Sequence, residues 1–560
     1  MPTINISLKE LNLLVGKKLS EKELDYFLSC AKAELEKRIG DELIIKLNDT
    51  NLPYLWSSEG LARLFKGLLG KKIKRLVVKK TNKRIIVDED ITAIRPYIGA
   101  FTASGKQVTK ELLKQIIQLQ EKLADCYGRK REKLAIGVYS SKRIKFPVRY
   151  KAVSTNYEFV PLGFEERMSL KRILKEHPKG IEYAGLLKDF NKYPILVDDN
   201  NETLSFPPII NSNFSGKVEV GDSELLIEAT GDLRIVNLAI NIFATALSDR
   251  GFKIGAIEIV YPKVKKRTPE MNEEKVTVST DNVERIFGLK LNVNETKNLL
   301  KKMGYDCKVK NKQLLVIVPN YRDDIMHNVD IVEDIGIAYG YEKIQKEKLK
   351  TYTIGGTFQI NDFVDNMREI LIGFSYQEVY SPILTNKELL YEKMNIKDFG
   401  TIEIENIMSE TYAVVRTWLL PLLMDFLSKN KTASYPQKVF EQGLVTIKEK
   451  DYEKVALISI HKDANYTEMR QILDAILCVF GVKSEIKELE HGSFITGRTG
   501  KILVNGKEIG IIGEMHPRTL INFYLQLPVV AMELNLSLLY ELVENAKRQN
   551  LSTCQKDSKR

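Results

Sequence analysis

The sequence predicts a multidomain protein of the α+β class. The chain has 560 residues, and a single hydrophobic core stops growing beyond about 250–300 residues, so we expect about three to five domains. Short apolar strand patterns alternate with amphipathic helical patterns along most of the chain, which is typical of α/β and α+β domains. Apolar residues make up 44% and charged residues 28% of the sequence, as in ordinary soluble globular proteins.

Residues 1–90 are predicted to form an N-terminal α/β domain. Two Ser-x-x-Glu motifs, beginning at Ser7 and Ser20, have the capping-box spacing, in which the two side chains satisfy free backbone amides at a helix start. A strand pattern at 43–47 follows. A further helix is predicted at 58–69, where glycine comes directly after the last apolar residue.

Residues 91–265 are predicted to form the largest mixed α/β domain. A long helix is expected at 109–126, and a second one at 234–247. Apolar strand patterns rich in Ile, Leu and Val lie at 134–139, 194–197 and 224–230.

Three further segments complete the chain. Residues 262–274 are charged and without periodicity, which predicts a linker leading into a small domain at 266–346. A second large α+β domain is predicted at 347–546. Residues 547–560 are polar and basic and are predicted to be a frayed tail.

Charge and cysteine content restrict the class of protein. The net charge of +11 and the pI near 9.0 fit either a nucleic-acid partner or a basic surface that binds nothing. The five cysteines contain no C-x-x-C pair, which indicates a reducing compartment and no structural zinc. Neither a signal peptide nor a long apolar span is visible. A cytoplasmic location without membrane insertion is therefore expected.

A cluster of carboxylates is the sharpest local feature. Asp330, Glu333 and Asp334 stand at i, i+3 and i+4 of a helix predicted to begin near Asn328, and Asp324 lies just before it. Like charges at this spacing repel one another. Either a hard cation such as Mg²⁺ offsets them, or they form a solvated acidic first turn favoured by the helix dipole.

Three segments together resemble one known family, the β subunits of phenylalanine–tRNA ligase of the archaeal and eukaryotic type. They are NDTNLPYLWSSEGLAR at 48–63, RDDIMHNVDIVEDIGIAYGYEKI at 322–344 and NIMSETYAVVRTWLLP at 406–421. They occur in the family's order and span most of the chain. Leu52 and Tyr54 depart from the Arg and Asp of the family's first signature.

The resemblance implies a role for each domain. Residues 91–265 are similar to the family's editing domain, which hydrolyses tyrosine misattached to the phenylalanine tRNA. Residues 266–346 are similar to its winged-helix-like, nucleic-acid-binding domain, which carries the Mg²⁺ site. Residues 347–546 resemble a class II synthetase-like antiparallel-sheet domain that lacks the catalytic motifs and serves assembly.

The same resemblance assigns site residues. Carried over by position, the editing pocket is lined by Leu196, Ser205, Glu228 and Thr230, with Glu228 where archaeal relatives often have Asp. Such a second site is needed because an apolar pocket rejects an added hydroxyl by only about a hundredfold. The expected Mg²⁺ ligands, at a site that the family shares with its α subunit, are Asp324, Asp330, Glu333 and Asp334.

The family also implies partners: a catalytic α subunit that binds ATP, in an (αβ)₂ assembly, and tRNA(Phe). Class II ligases bind the phosphates of ATP with arginines. In this chain Phe440-Glu441-Gln442-Gly443 lacks the expected arginine, and no Gly-x-Gly-x-x-Arg motif follows. Two alternatives stay open from the residues alone, a stand-alone tRNA-binding or proofreading protein and an independent ligase.

Overall fold

The computed structural model describes residues 2–214, 217–310 and 313–557. Contacts divide the chain into two compact units, residues 1–348 and 349–560. The division lies within two residues of the boundary predicted at 346/347. Both units mix helices and sheets, so the prediction of a multidomain α+β protein is confirmed.

The N-terminal domain packs three helices on a small antiparallel sheet of order β1-β3-β2. Ser7 caps α1, where its Oγ accepts a hydrogen bond from the Glu10 amide at 3.1 Å, and Ser20 forms the predicted capping box on α2. The elements are β1 (Thr3–Ser7), α1 (Leu8–Val15), α2 (Glu21–Cys30), β2 (Ala33–Ile39), β3 (Glu42–Leu47) and α3 (Ser58–Leu68).

The second domain is built on a ten-stranded sheet of order β12-β11-β10-β7-β4-β14-β5-β13-β6, with β15 paired to β14. Helices α4 and α7 bury their apolar faces on β5, β6 and β13. The elements are β4 (Val78–Val87), β5 (Tyr97–Ser104), α4 (Lys110–Lys122), β6 (Leu134–Ser140), β7 (Val148–Ser154), β8 (Glu158–Phe159), β9 (Met168–Ser169), α5 (Leu170–Glu176), α6 (Pro178–Tyr183), β10 (Lys192–Val197), β11 (Thr203–Phe206), β12 (Ile210–Asn211), β13 (Glu224–Gly231), α7 (Leu233–Asp249), β14 (Lys253–Val260) and β15 (Lys265–Thr268).

The predicted limits of this domain, 91–265, are wrong at both ends. Strand β4 lies inside the large sheet, parallel to β14 and β7, although its residues were assigned to the N-terminal domain. Its three lysines and one arginine conceal the strand pattern. Strand β15 occupies part of the stretch predicted as a linker, because it pairs with β14 to Thr268.

The small domain has a three-stranded sheet of order β16-β18-β17 flanked by three helices. Helix α10 begins at Asn328, as predicted. The elements are β16 (Glu274–Ser279), α8 (Thr280–Phe287), α9 (Val293–Lys302), β17 (Asp306–Lys310), β18 (Gln313–Val318) and α10 (Asn328–Tyr339).

The unit at 349–560 contains a seven-stranded sheet of order β19-β22-β23-β27-β26-β25-β24, antiparallel except where β19 runs parallel to β22. The elements are α11 (Gln359–Gly373), β19 (Gln377–Glu378), β20 (Leu384–Thr385), β21 (Val414–Val415), α12 (Leu420–Lys429), β22 (Gln437–Ile447), β23 (Lys450–Ile460), α13 (Tyr466–Val479), β24 (Ser484–Glu488), β25 (Phe494–Val504), β26 (Lys507–Met515), α14 (Pro517–Asn522), β27 (Val529–Asn535) and α15 (Leu536–Asp557).

The predicted frayed tail at 547–560 is helical over most of its length. Helix α15 continues to Asp557, and residues 558–560 lie outside the described residues. The stretch lacks glycine and proline and contains lysine, arginine and glutamine, which are good helix formers, so nothing stops the helix at 546. Among the residues described, no helix is both long and apolar enough to cross a membrane.

Candidate functional site

The inner face of the ten-stranded sheet, opposite α4 and α7, carries the residues assigned to editing. Alternate residues of β13 point to one face, so Glu228 and Thr230 share it, and both are buried. Glu228 lies between Ala100 on β5 and Gly137 on β6, its partners on the two neighbouring strands. Because these neighbours are small, they leave room over the sheet for a large side chain beside the carboxyl group.

Leu196 and Ser205 reach the same interior from near the other end of the sheet. They are direct cross-strand partners on β10 and β11, and both are buried. Leu196 belongs to one hydrophobic cluster with Tyr139 on β6 and Leu226 on β13. The sheet therefore curls until its two ends face a common core, which brings all four predicted residues to one place.

Tyr139 occupies the centre of this place. Its hydroxyl donates a hydrogen bond of 2.8 Å to Oε1 of Glu228, and the side chain is fully buried. A Cβ at position 137 would lie 2.1 Å from the Tyr139 hydroxyl oxygen, so the ring fits only because that residue is glycine. The Ser205 hydroxyl also approaches the Tyr139 hydroxyl, without the geometry of a hydrogen bond.

Two polar atoms of the site are left without partners. Oε2 of Glu228 and Oγ of Ser205 are buried and have no hydrogen bond within the part of the chain that the structure describes. Buried polar groups are nearly always satisfied in folded proteins, and exceptions call for an explanation. One explanation is a further polar ligand that these atoms bind.

Burial controls the protonation of the site. It raises the pKa of Glu228 to about 7, against the opposing effects of the Tyr139 hydrogen bond and the Arg95 charge. It also raises the pKa of Tyr139 well above its usual value. The phenol is therefore a hydrogen-bond donor at neutral pH, and the carboxyl group is close to its titration midpoint.

Arg95 holds Thr230 in position. Its Nε donates to Oγ1 of Thr230 at 2.9 Å, and its Nη2 donates to the carbonyl of the same residue at 2.7 Å. The Arg95 carbonyl in turn accepts a hydrogen bond from the Tyr150 hydroxyl at 2.9 Å. The threonine hydroxyl is thus fixed in orientation, because it accepts from a buried guanidinium.

The four predicted metal ligands line one small cavity of about 50 Å³ together with Arg322 and Lys32. Arg322 donates from Nε to Oδ1 of Asp324 and from Nη1 to Oδ2 of Asp334, both at 2.8 Å. The Tyr305 hydroxyl donates to the same oxygen of Asp334. Burial raises the pKa of Asp334, although Arg322 opposes the rise.

The other two carboxylates also have partners. Oδ2 of Asp330 accepts the amides of Met326 and His327 at 2.8 and 2.7 Å, which caps α10. Glu333 pairs with Lys32 at 2.8 Å, and Lys32 also contacts Asp49 in the N-terminal domain.

These residues do not fit a Mg²⁺ site formed by this chain alone. Within 2–214, 217–310 and 313–557, no group of three or more His, Cys, Asp or Glu side chains is arranged to hold a metal ion. Arg322 and Lys32 supply the positive charge that the clustered carboxylates require. Within this chain the like charges are thus compensated by side chains, and the Mg²⁺ ligand set stays a prediction.

Arg416 is buried as an internal structural group in the second unit. Its Nη1 pairs with Glu441, and its Nε donates to the Leu444 carbonyl at 2.8 Å. Ser381 donates from Oγ to the second oxygen of Glu441 at 2.6 Å. Since both charged side chains are buried, this guanidinium is not available to a nucleotide phosphate.

Comparison with known proteins decides the family. The phenylalanine–tRNA ligase β subunit of Pyrococcus horikoshii is 42% identical over 554 residues, with 96% of this chain and 100% of that protein covered. The chain belongs to the family of phenylalanine–tRNA ligase β subunits. The β subunit of Archaeoglobus fulgidus is 37% identical, with 97% of this chain and 100% of that protein covered.

Domain and structure comparisons agree with membership of the β-subunit family. The family described as "Phenylalanyl tRNA synthetase beta chain CLM domain" matches residues 344–536, and the "tRNA synthetase B5 domain" matches 276–341. The crystal structure of an N-terminal fragment of the β subunit from Pyrococcus horikoshii is 40% identical with a TM-score of 0.59. The match covers 61% of this chain and 100% of that fragment.

The family motifs did not predict every residue at these sites. Tyr139 was part of an apolar strand pattern, and Arg95 was in no motif. Their roles depend on pairing between distant strands, for which the local sequence gives no signal. Arg322 stood inside the matched segment at 322–344 and was the one recognisable signal, since an arginine next to clustered carboxylates predicts an ion pair.

Proposed function

We propose that this β subunit joins a catalytic α subunit in an (αβ)₂ enzyme that makes phenylalanyl-tRNA(Phe) from ATP, phenylalanine and tRNA(Phe). We further propose that its own activity is hydrolysis of tyrosyl-tRNA(Phe), carried by the inner face of the ten-stranded sheet. The single observation that supports editing is the buried Glu228 carboxyl, which already receives a phenol hydroxyl at 2.8 Å.

The chemistry of the proposed reaction is ester hydrolysis. Water adds to the acyl carbon, the bond to the ribose oxygen breaks, and tyrosine and tRNA leave. Glu228 accepts the hydrogen bond of the substrate's phenol, and Ser205 and Thr230 orient the ester or the water. A site built to bind a hydroxyl rejects the analogue that lacks it by about 10⁴–10⁵, so phenylalanyl-tRNA is spared.

Two features of the second unit support dependence on an α subunit. Its large sheet resembles the class II synthetase scaffold, and its buried Arg416 is committed to Glu441. The small domain has the strand–helix–helix–strand–strand order of a winged helix, which supports the proposed nucleic-acid-binding fold. Mg²⁺ stays a prediction for the assembled enzyme, and no step proposed here depends on it.

The decisive experiment is deacylation of tyrosyl-tRNA(Phe) by the assembled enzyme carrying Glu228→Ala. We expect the rate to fall at least tenfold, with aminoacylation by the α subunit unchanged. Glu224→Ala is the matched control, because Glu224 lies on the same strand and is exposed. An unchanged rate in Glu228→Ala would move the editing site elsewhere.

A further inference from the structure

We propose that Tyr139 is a specificity-determining residue of the editing site, whose ring occupies the place of the substrate's tyrosine side chain. The Tyr139 ring is displaced from this position only by a side chain that also carries a phenol hydroxyl. The inference rests on the proposed editing function. It adds a residue and an exchange step to that function.

The first support is the position of the Tyr139 ring. Its hydroxyl makes with Glu228 the hydrogen bond expected of the substrate, at 2.8 Å. The ring lies over Gly137, where a Cβ would come within 2.5 Å of the phenol carbon Cζ. The structure thus contains a phenol-sized space in front of the carboxyl group, and Tyr139 fills it.

The second support is the incomplete hydrogen bonding around that phenol. Oε2 of Glu228 and Oγ of Ser205 remain unpaired and buried beside it. An occupant that belonged there permanently would be expected to satisfy these atoms. Tyr139 enters from β6 at a fixed angle, whereas a substrate can bring its phenol and a bound water in from another direction.

Exchange of one phenol for another explains how the site selects tyrosyl-tRNA over phenylalanyl-tRNA. When the tyrosine of a mischarged tRNA displaces the Tyr139 ring, the hydrogen bond to Glu228 is lost and made again. Phenylalanine cannot replace it, and the carboxyl group would stay buried without its donor. Tyr139 therefore protects phenylalanyl-tRNA from hydrolysis.

The test uses the assembled enzyme with Tyr139→Phe, which keeps the ring and removes the hydroxyl. Because the internal competitor can no longer bind Glu228, kcat/KM for tyrosyl-tRNA hydrolysis should rise about tenfold, the change expected for one buried hydrogen bond. An unchanged or lower value would overturn the proposal. Tyr150→Phe is the matched control, since its hydroxyl lies in the same core and contacts Arg95 instead. It should bring no rise.

The result is distinguishable from failure of the editing proposal. If Glu228→Ala leaves hydrolysis unchanged, the proposed location of the editing site fails, and the role of Tyr139 fails with it. If Glu228→Ala abolishes hydrolysis and Tyr139→Phe brings no rise, only the role of Tyr139 fails.

A binding measurement tests the same place without activity. In the assembled Tyr139→Ala enzyme, p-cresol should raise the thermal unfolding temperature of this chain more than toluene does, and adding Glu228→Gln should reduce that difference. Equal shifts with p-cresol and toluene would contradict a phenol-specific space.

Discussion

Arg322 and Asp334 form a buried ion pair, with Nη1 of the arginine 2.8 Å from Oδ2 of the aspartate and side-chain exposures of 4% and 8%. The same guanidinium binds Asp324, and its carbon lies 5.2 Å from the centroid of the Tyr54 ring in the N-terminal domain. One arginine therefore connects two carboxylates of the small domain with an aromatic ring of another domain.

Replacing Arg322 should destabilise the first unit strongly. Arg322→Met removes the charge and leaves the buried carboxylates of Asp324 and Asp334 without a compensating cation, at a cost of about 3–5 kcal/mol. The measurement is urea unfolding followed by Trp56 fluorescence in a Trp418→Phe background. Arg75→Met is the control, because its ion pairs are exposed and exposed pairs contribute about 0–1 kcal/mol. Similar losses in both variants would contradict the assignment.

The stability contributed by Glu228 should depend on pH. Its pKa rises from 4.5 to about 7 on folding, so the folded state binds the proton more tightly than the unfolded state. The free-energy cost of keeping the ionised Glu228 carboxylate buried is absent below about pH 4.5, grows as the pH rises and is complete above about pH 7.

Glu228→Gln removes this dependence. Between pH 5 and pH 8 the variant should gain about 2–3 kcal/mol of unfolding free energy relative to wild type. The measurement is the free energy of unfolding of wild type and variant at both pH values. Glu224→Gln serves as the exposed control. A constant difference between wild type and variant would show that Glu228 titrates normally.

Gly137→Ala should displace Tyr139 from Glu228. The added methyl group would lie 2.1 Å from the Tyr139 hydroxyl oxygen and 2.5 Å from Oε1 of Glu228, and overpacking of this kind costs about 1–3 kcal/mol. Thermal unfolding gives the loss of stability. At Gly185 a Cβ meets nothing within 4 Å, so Gly185→Ala should be close to neutral. Equal effects at the two positions would be inconsistent with the packing.

The double variant Asp330→Ala, Glu333→Ala should weaken association with the α subunit more than it changes affinity for tRNA. The reason is the Mg²⁺ that the family resemblance predicts between the subunits, with Asp330 and Glu333 among its expected ligands. Subunit association is measured by analytical ultracentrifugation with and without EDTA. If wild type and variant associate equally in both conditions, no bridging ion is needed.

Local sequence patterns correctly predicted the structural features that depend only on neighbouring residues. Helix caps at Ser7 and Ser20 and the start of α10 follow from short motifs. Strand β4 was missed because its partner β14 lies far along the chain, and Lys79, Lys80 and Arg84 give it the composition of an exposed segment. The four positions that the resemblance assigns to editing lie around one core, and their role stays a prediction. The Tyr139–Glu228 contact joins two strands, and no motif contains both residues.

Pairing of β4 with β14 has a consequence during protein synthesis. Ile254 lies opposite Val78, so the centre of the large sheet cannot close until the ribosome has released the chain beyond β14. Until then β4 exposes an unpaired edge on the nascent polypeptide. For the same reason, any recombinant fragment meant to isolate this sheet must begin before Val78 and continue past Thr268.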